Sequence, residues 1–268
     1  MNKTLKEIEY TKIHEIIIWK SELGIPIKAY YKWNPKKWFF WIFANIHWWY
    51  EYWTYDTALY LKEEFEKSWK TGWFIIPTIN PDWLKIAEND NFKKKYYLKA
   101  RVNSNNVDLN RNFCTKNYKV RNFTKKSDNW NKIYYDAWEK CESEQETQNI
   151  VKILKNYKFN QIISLHSKWA IFYIPDNTLE NKEIIKFWRD IKEMLVDYDY
   201  DPTFKTKSEQ KRKTIKYEID EWWVDKYTWL MEQYIYENYN IPVIIIEFKA
   251  HWEIEKRLFD IGNKYLKN

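Results

Sequence analysis

Two histidines and a glutamate stand where metal ligands would stand. His47 and Glu51 follow directly on one apolar run, and His166 closes another in Ser164-Leu165-His166-Ser167. Two ligands close in sequence, with a third from a distant strand end, can hold a tetrahedral zinc with one position open for water, as catalytic His₂Glu sites do. A histidine beside an acid also occurs as a structural pair, so these residues alone leave both readings open. Glu247 ends the run Val243-Ile244-Ile245-Ile246, a buried-strand pattern in which an acid is costly unless it is used or paired.

The elements that must position these residues are apolar runs alternating with amphipathic segments. This is the order expected of an α/β fold in which helices flank a largely buried mixed sheet. Strands are predicted at residues 25–31, 39–46, 74–79, 161–165, 170–174 and 243–248, and helices at 57–68, 144–157, 182–196, 227–238 and 253–266. Ser143 and Glu146 form a capping-box pattern ahead of a stripe of Ile150, Val151 and Leu154. Between Asn80 and Ser143 runs a polar stretch with little periodicity, of a length that usually marks a functional loop. A second irregular, basic stretch at 198–216 reads as a mobile surface loop. No repeat or linker divides the chain, and one domain over 1–268 is expected.

The composition is inverted in one respect. The chain has 18 Trp and 3 Gly, whereas average usage would put Gly at about 7% of residues. The tryptophans fall where a chain needs glycine: at the end of the turn Asn80-Pro81-Asp82-Trp83, and as the pairs Trp48-Trp49 and Trp222-Trp223. A UGA codon that the organism reads as glycine, translated as tryptophan, produces this split. The Lys-, Asn-, Ile- and Tyr-rich remainder fits an AT-rich genome. The alternative is a truly Trp-rich protein that binds glycans or single-stranded nucleic acid without catalysis.

With Trp read as glycine, several segments resemble the zinc carboxypeptidase family, the carboxypeptidase A-like metallopeptidases. Trp33 through Glu51, with Trp38-Phe39-Phe40-Trp41-Ile42-Phe43-Ala44-Asn45-Ile46-His47-Trp48-Trp49-Tyr50-Glu51 at its end, resembles the family's strand and zinc-binding turn. Asn80-Pro81-Asp82-Trp83 resembles its Asn-Pro-Asp-Gly, and Ser143-Glu144-Gln145-Glu146-Thr147 its Ser-Glu-Pro-Glu-Thr. The strongest likeness is Arg101-Val102-Asn103-Ser104-Asn105-Asn106-Val107-Asp108-Leu109-Asn110-Arg111-Asn112-Phe113.

The resemblance implies a zinc carboxypeptidase-like fold, Zn²⁺ held by His47, Glu51 and His166, and Glu247 as general base for the attacking water. Three residues separate His47 from Glu51, where much of the family has two; bacterial relatives with His-Gly-Gly-Tyr-Glu are most similar here. Arg101, Asn110 and Arg111 correspond to the substrate clamp. Guanidinium groups suit that role, since they grip a terminal carboxylate bidentately and stabilise an oxyanion. Tyr217 corresponds to a substrate-side tyrosine, with Asp225 a weaker candidate for lining the specificity pocket. His14 and His251 match no motif and read as structural. The implied activity is hydrolysis of a peptide or amide bond beside a free carboxylate. Murein-peptide amidase activity in cell-wall recycling is an alternative, and a pseudo-enzyme that has kept the fold without the site is a rival.

Bulk properties narrow the partners. The net charge is +7, and the runs Lys93-Lys94-Lys95 and Lys211-Arg212-Lys213 read as solvated surface rather than a nucleic-acid footprint. No apolar run is long enough to span a membrane and no signal-peptide pattern opens the chain, so a cytoplasmic monomer acting on a peptide or murein peptide is expected. Cys114 and Cys141 make no disulfide framework and are expected as free thiols.

Overall fold

A computed structural model of the chain describes residues 12–32, 40–47, 51–68, 71–82, 101–116, 122–126, 132–136, 140–157, 159–167, 171–173, 186, 218–219 and 230–248. The elements in order are β1 (His14–Lys20), β2 (Pro26–Lys32), β3 (Phe40–Ala44), α1 (Tyr52–Lys67), β4 (Trp73–Ile76), a 3₁₀ turn at Leu109–Arg111, β5 (Asn122–Lys126) and β6 (Lys132–Asp136). They continue with α2 (Gln145–Asn156), β7 (Ile162–Ser167), β8 (Ile171–Tyr173), β9 (Glu218–Ile219), α3 (Met231–Tyr239) and β10 (Val243–Phe248).

Eight strands form one mixed sheet in the order β1-β2-β4-β3-β7-β10-β8-β9. The centre, β4-β3-β7-β10, is parallel, and antiparallel pairings flank it. Helices cover both faces. On one face Phe65 of α1 stacks on Trp73 at 4.9 Å. On the other, Trp41, Phe43, Phe74 and Ile76 pack with Ile150 and Leu154 of α2 and Met231 and Ile235 of α3. Burial on both faces explains why the central strands are nearly continuous runs of β-branched and aromatic residues. At one end of α1, the buried ammonium of Lys32 caps the last turn by donating to the carbonyls of Phe65 (2.8 Å), Glu66 (2.9 Å) and Ser68.

Parallel order sets the site's place. β3 leads through α1 to β4 on one side, while β7 has β10 beside it on the other. The crevice therefore opens beyond the carboxyl ends of β3 and β7, where open α/β sheets bind ligands. His47 lies just past β3, and His166 is paired in register with Glu247 of β10. Alternation along β7 and β10 puts His166 on the face of Ile162 and Glu247 on the face of Val243, both residues of the α2–α3 core.

Several expectations are corrected. The stretch after Asn80 contains the β5–β6 ribbon, a separate two-stranded sheet whose strands lack clear polar–apolar alternation. β1 was not anticipated either, and α1 begins at Tyr52 rather than residue 57. The capping box does not form. Glu144 occupies the N-cap without a side-chain cap, and Ser143 Oγ donates to Glu144 Oε1 at 2.7 Å. Tertiary contacts of Ser143, Glu144 and Glu146 with the 101–113 segment override the local motif. Cys114 and Cys141 are not free: they form a disulfide with Cα atoms 5.1 Å apart. The predicted helix at 253–266 and the basic stretch at 198–216 lie outside the described residues, as does the predicted helix at 182–196 apart from residue 186, which is helical.

Trp19, Trp41 and Trp73 are buried, and among the described residues none of their indole N–H groups has an acceptor. Each such donor costs about 1–3 kcal/mol. Trp41 stacks on Phe159 with ring centroids only 3.6 Å apart. This crowding suits a chain whose natural residue at some of these positions is smaller. A peptide covering residues 45–56, isolated from the native organism and sequenced by mass spectrometry, is expected to carry glycine at positions 48, 49 and 53; indoles there would end the recoding reading.

Candidate metal and substrate site

The turn after β3 is built to present two ligands on one face. Asn45 adopts the left-handed conformation (φ 53°), which asparagine tolerates better than most residues, and redirects the chain out of the sheet. It is held there by Asn45 N donating to Thr54 Oγ1 at 2.9 Å and by Thr78 Oγ1 donating to Asn45 Oδ1 at 2.8 Å. The amide of Glu51 then donates to the carbonyl of His47 at 3.1 Å, ahead of α1. The spacing of three intervening residues is thus an i,i+4 relation, which brings the two side chains together.

Glu51 sits between the histidines. His47 Nδ1 is 2.8 Å from Glu51 Oε1, and His166 Nδ1 is 3.1 Å from Glu51 Oε2. One donor atom from each of the three residues lies within 4.8 Å of the others, and all three side chains are buried. Each histidine has its outer nitrogen engaged too. His47 Nε2 lies 3.0 Å from Asp108 Oδ1; His166 Nε2 lies 3.1 Å from Glu232 Oε1 and 3.0 Å from Ser164 Oγ.

The electrostatics of the cluster are dominated by buried, mutually opposed charges. Burial would raise the Glu51 carboxyl, but the flanking histidines outweigh it and bring its pKa to about 2. Burial likewise opposes charge on Asp108, yet Arg101 and His47 hold it well below the usual carboxylate range. Burial disfavours protonated His166, but Glu51 and Glu232 push its pKa well above the ordinary value. A protonated imidazole can donate to both the outer carboxylate and Glu51; a neutral one that gives its only N–H to the outer carboxylate turns a lone pair toward Glu51, an arrangement that a cation shared between them satisfies. Two imidazole nitrogens, each on a ring whose outer nitrogen is held by a carboxylate, together with the Glu51 carboxylate, fit zinc.

Glu247 lies beside this cluster, where burial lifts its pKa to about 8 despite the opposing pull of His166 and Arg101. Its Oε2 is buried without a hydrogen-bond partner among the described residues.

Arg101 donates through Nε to Asp108 Oδ2 at 2.7 Å, so Asp108 ties the predicted clamp to the metal cluster. Asp108 also caps the Leu109–Arg111 turn by accepting from Asn110 N at 3.1 Å. Asn110 Oδ1 accepts from Met231 N at 2.7 Å, and Arg111 Nη1 donates to Asn110 O at 2.6 Å. The remaining motifs act as scaffold. Asn80 Nδ2 holds Val102 O at 3.2 Å, and Asp82 accepts from Leu23 N at 3.2 Å and from Ser21 Oγ. Asn103 Oδ1 accepts from the amides of Asn105 (3.1 Å) and Val107 (3.0 Å), while its Nδ2 donates to Glu144 Oε2 at 2.6 Å. Glu146, whose pKa burial raises to about 7, accepts from Glu22 N at 3.3 Å.

His47, Glu51, His166, Glu247, Arg101, Asn110 and Arg111 therefore gather at one end of the sheet, whereas Tyr217 and Asp225 lie outside the described residues. His14 stacks on Tyr31 at 5.1 Å, away from this cluster, and His251 lies outside the described residues. Asp108, Ser164 and Glu232 were missed by the sequence reading. Asp108 lay in the most informative segment without a role. Glu232 had one local signal, an acid three residues before Ile235 on the buried face of α3.

A sequence profile described as zinc carboxypeptidase matches residues 8–257. The human carboxypeptidase N catalytic chain is 32% identical over 110 residues, 40% of this chain and 24% of that protein, so the match spans about a quarter of the curated relative. Among solved structures, murein-tripeptide amidase MpaA from Escherichia coli O157 superimposes with a TM-score of 0.64 at 17% identity, covering 95% of this chain and 92% of that one. Carboxypeptidase A from Helicoverpa armigera also gives 0.64 at 17% identity, covering 98% of this chain and 71% of that one. These structural likenesses establish a shared fold, and the profile, matching the chain over most of its length, settles the lineage: this chain belongs to the zinc carboxypeptidase family.

Proposed function

We propose that the chain is a zinc-dependent hydrolase of the carboxypeptidase type, cleaving a peptide or amide bond next to a free carboxylate. The observation that carries this is the convergence of His47, Glu51 and His166 beside a buried Glu247 oxygen that has no hydrogen-bond partner among the described residues. His47 Nδ1, His166 Nδ1 and the Glu51 carboxylate would hold the ion. When bound, zinc polarises the scissile carbonyl and acidifies water. Glu247 Oε2 takes the proton from the attacking water and passes it to the leaving amine. Arg101, whose Nε is engaged by Asp108, has the remaining guanidinium N–H groups with which to stabilise the developing oxyanion. Arg111 and Asn110 orient the substrate carboxylate.

The test is a matched pair of peptides, one with a free C-terminal carboxylate and one amidated, given to the natively translated protein. Hydrolysis confined to the free acid and abolished by a chelator is expected; equal cleavage of both would remove the clamp assignment. Arg101→Ala is expected to lower kcat by about 10²–10³-fold. Arg111→Ala is expected chiefly to raise KM by about 10–100-fold, as loss of a charged hydrogen-bond pair would. Steady-state kinetics separate the two.

A second reading, a murein-peptide amidase, is favoured by the near-complete overlap in length with the E. coli enzyme. Cell-wall tripeptide offered alongside the peptide pair decides between them. The Cys114–Cys141 bridge supports an oxidising compartment over the expected cytoplasm. No helix among the described residues is long and apolar enough to cross a membrane.

A further inference from the structure

We infer that Glu232, in the first turn of α3, is a positioning residue for the metal site, gripping the outer nitrogen of His166 so that Nδ1 is presented to the ion. This rests on the metal reading above. Glu232 is 1% exposed, and its Oε1 lies 3.1 Å from His166 Nε2. Ser164, one strand repeat before His166 on the same face of β7, donates its hydroxyl to the same carboxylate oxygen. Ser164 Oγ in turn lies 3.0 Å from His166 Nε2, so the imidazole edge meets an oxygen pair that is itself hydrogen-bonded together. With an ion bound, this arrangement favours the tautomer whose proton is on Nε2, toward Glu232, and whose lone pair is on Nδ1.

Packing does not account for an acid at this place. The neighbouring helix positions Met231, Tyr234 and Ile235 are core residues. Glu232 keeps a second oxygen, Oε2, buried without a partner among the described residues. A carboxylate retained there is costly unless its charge is used. The N-terminal end of α3 lowers that cost, because the helix dipole favours a negative group in the first turn.

The same turn holds the substrate side. The amide of Met231, adjacent to Glu232, donates to Asn110 Oδ1 at 2.7 Å. The start of α3 thus links the third ligand to the clamp turn, mirroring Asp108, which joins His47 to Arg101.

Zinc affinity of the natively translated protein and of Glu232→Ala and Glu232→Gln, measured by competition with a chromogenic chelator, tests this. Glu232→Ala is expected to weaken zinc binding by about 10–100-fold, the usual cost of losing an outer partner of a metal-bound histidine. Its cobalt-substituted form should show a shifted visible spectrum. Glu232→Gln keeps the shape and an acceptor oxygen, so a smaller loss and a cobalt spectrum close to the unaltered protein are expected; it also serves if Glu232→Ala fails to fold. Melting temperatures with and without zinc add a second readout, since a positioning role shrinks the gap between them. Unchanged zinc affinity and cobalt spectrum in a folded variant would overturn the proposal, as would equal destabilisation of zinc-free and zinc-loaded forms. If the unaltered protein itself binds no zinc, the metal reading fails and this inference with it, an outcome distinct from a variant that binds as tightly as its parent.

Discussion

Glu247→Gln is expected to keep full zinc occupancy and lose turnover by about 10²–10⁴-fold, the span over which a positioned general base acts. The amide fills nearly the same space, so the paired register of β10 with β7 and β8 should survive. What is lost is the capacity of Oε2 to accept a proton. The parent's own pH profile provides a companion check. Burial lifts the Glu247 pKa to about 8, and a cation at the neighbouring cluster pulls it back down. Because a base works only when ionised, kcat/KM should fall as pH drops through the Glu247 pKa, and that acid limb should vanish from the residual activity of Glu247→Gln. Near-normal turnover in a zinc-loaded Glu247→Gln protein would instead move a different base, or a site without catalysis, to the front.

His47→Ala and His166→Ala are each expected to abolish stoichiometric zinc and reduce hydrolysis to background. Each change removes one of three converging donors and leaves a buried carboxylate, Asp108 or Glu232, facing an empty space. A folded protein that binds zinc gains about 2.7 kcal/mol when the free ion is at 100 times its dissociation constant. Both variants should therefore also lose the zinc-dependent rise in melting temperature. Metal analysis showing unchanged zinc in both would remove the ligand assignment.

How much of this was legible beforehand depends on the range over which each signal acts. The ligands and Glu247 were readable because each is a polar residue at the end of an apolar run, and central parallel strands buried on both faces write such runs plainly. The outer partners were not. Glu232 reaches His166 across 66 residues and Asp108 reaches His47 across 61, and those pairings exist only once α3 and the 3₁₀ turn are docked. The β5–β6 ribbon escaped notice because Asn-Phe-Thr-Lys-Lys and Lys-Ile-Tyr-Tyr-Asp bear too little alternation to announce strands. Ser143 illustrates the opposite error. Its spacing to Glu146 satisfied a local rule, but the tertiary demand for partners around Asn103 and Asn112 took both side chains away from the helix start.

The bridge between Cys114 and Cys141 also bears on how this protein can vary. It joins residues 27 apart in sequence, and the base of the excursion is tied again by Asn112, whose carbonyl, amide nitrogen and amide oxygen engage Glu142 N (2.6 Å), Ser143 Oγ (2.9 Å) and Glu144 N (3.2 Å). The β5–β6 ribbon rides on this excursion in a sheet of its own. Lengthening a loop whose ends are already pinned is thermodynamically mild, about 0.6 kcal/mol per doubling. Insertions, deletions or grafted sequence between the two cysteines can therefore accumulate while the clamp on one side and α2 on the other stay in place. The pinned base leaves the excursion open to diversification, and makes it a port for fusing a foreign segment beside an unaltered site.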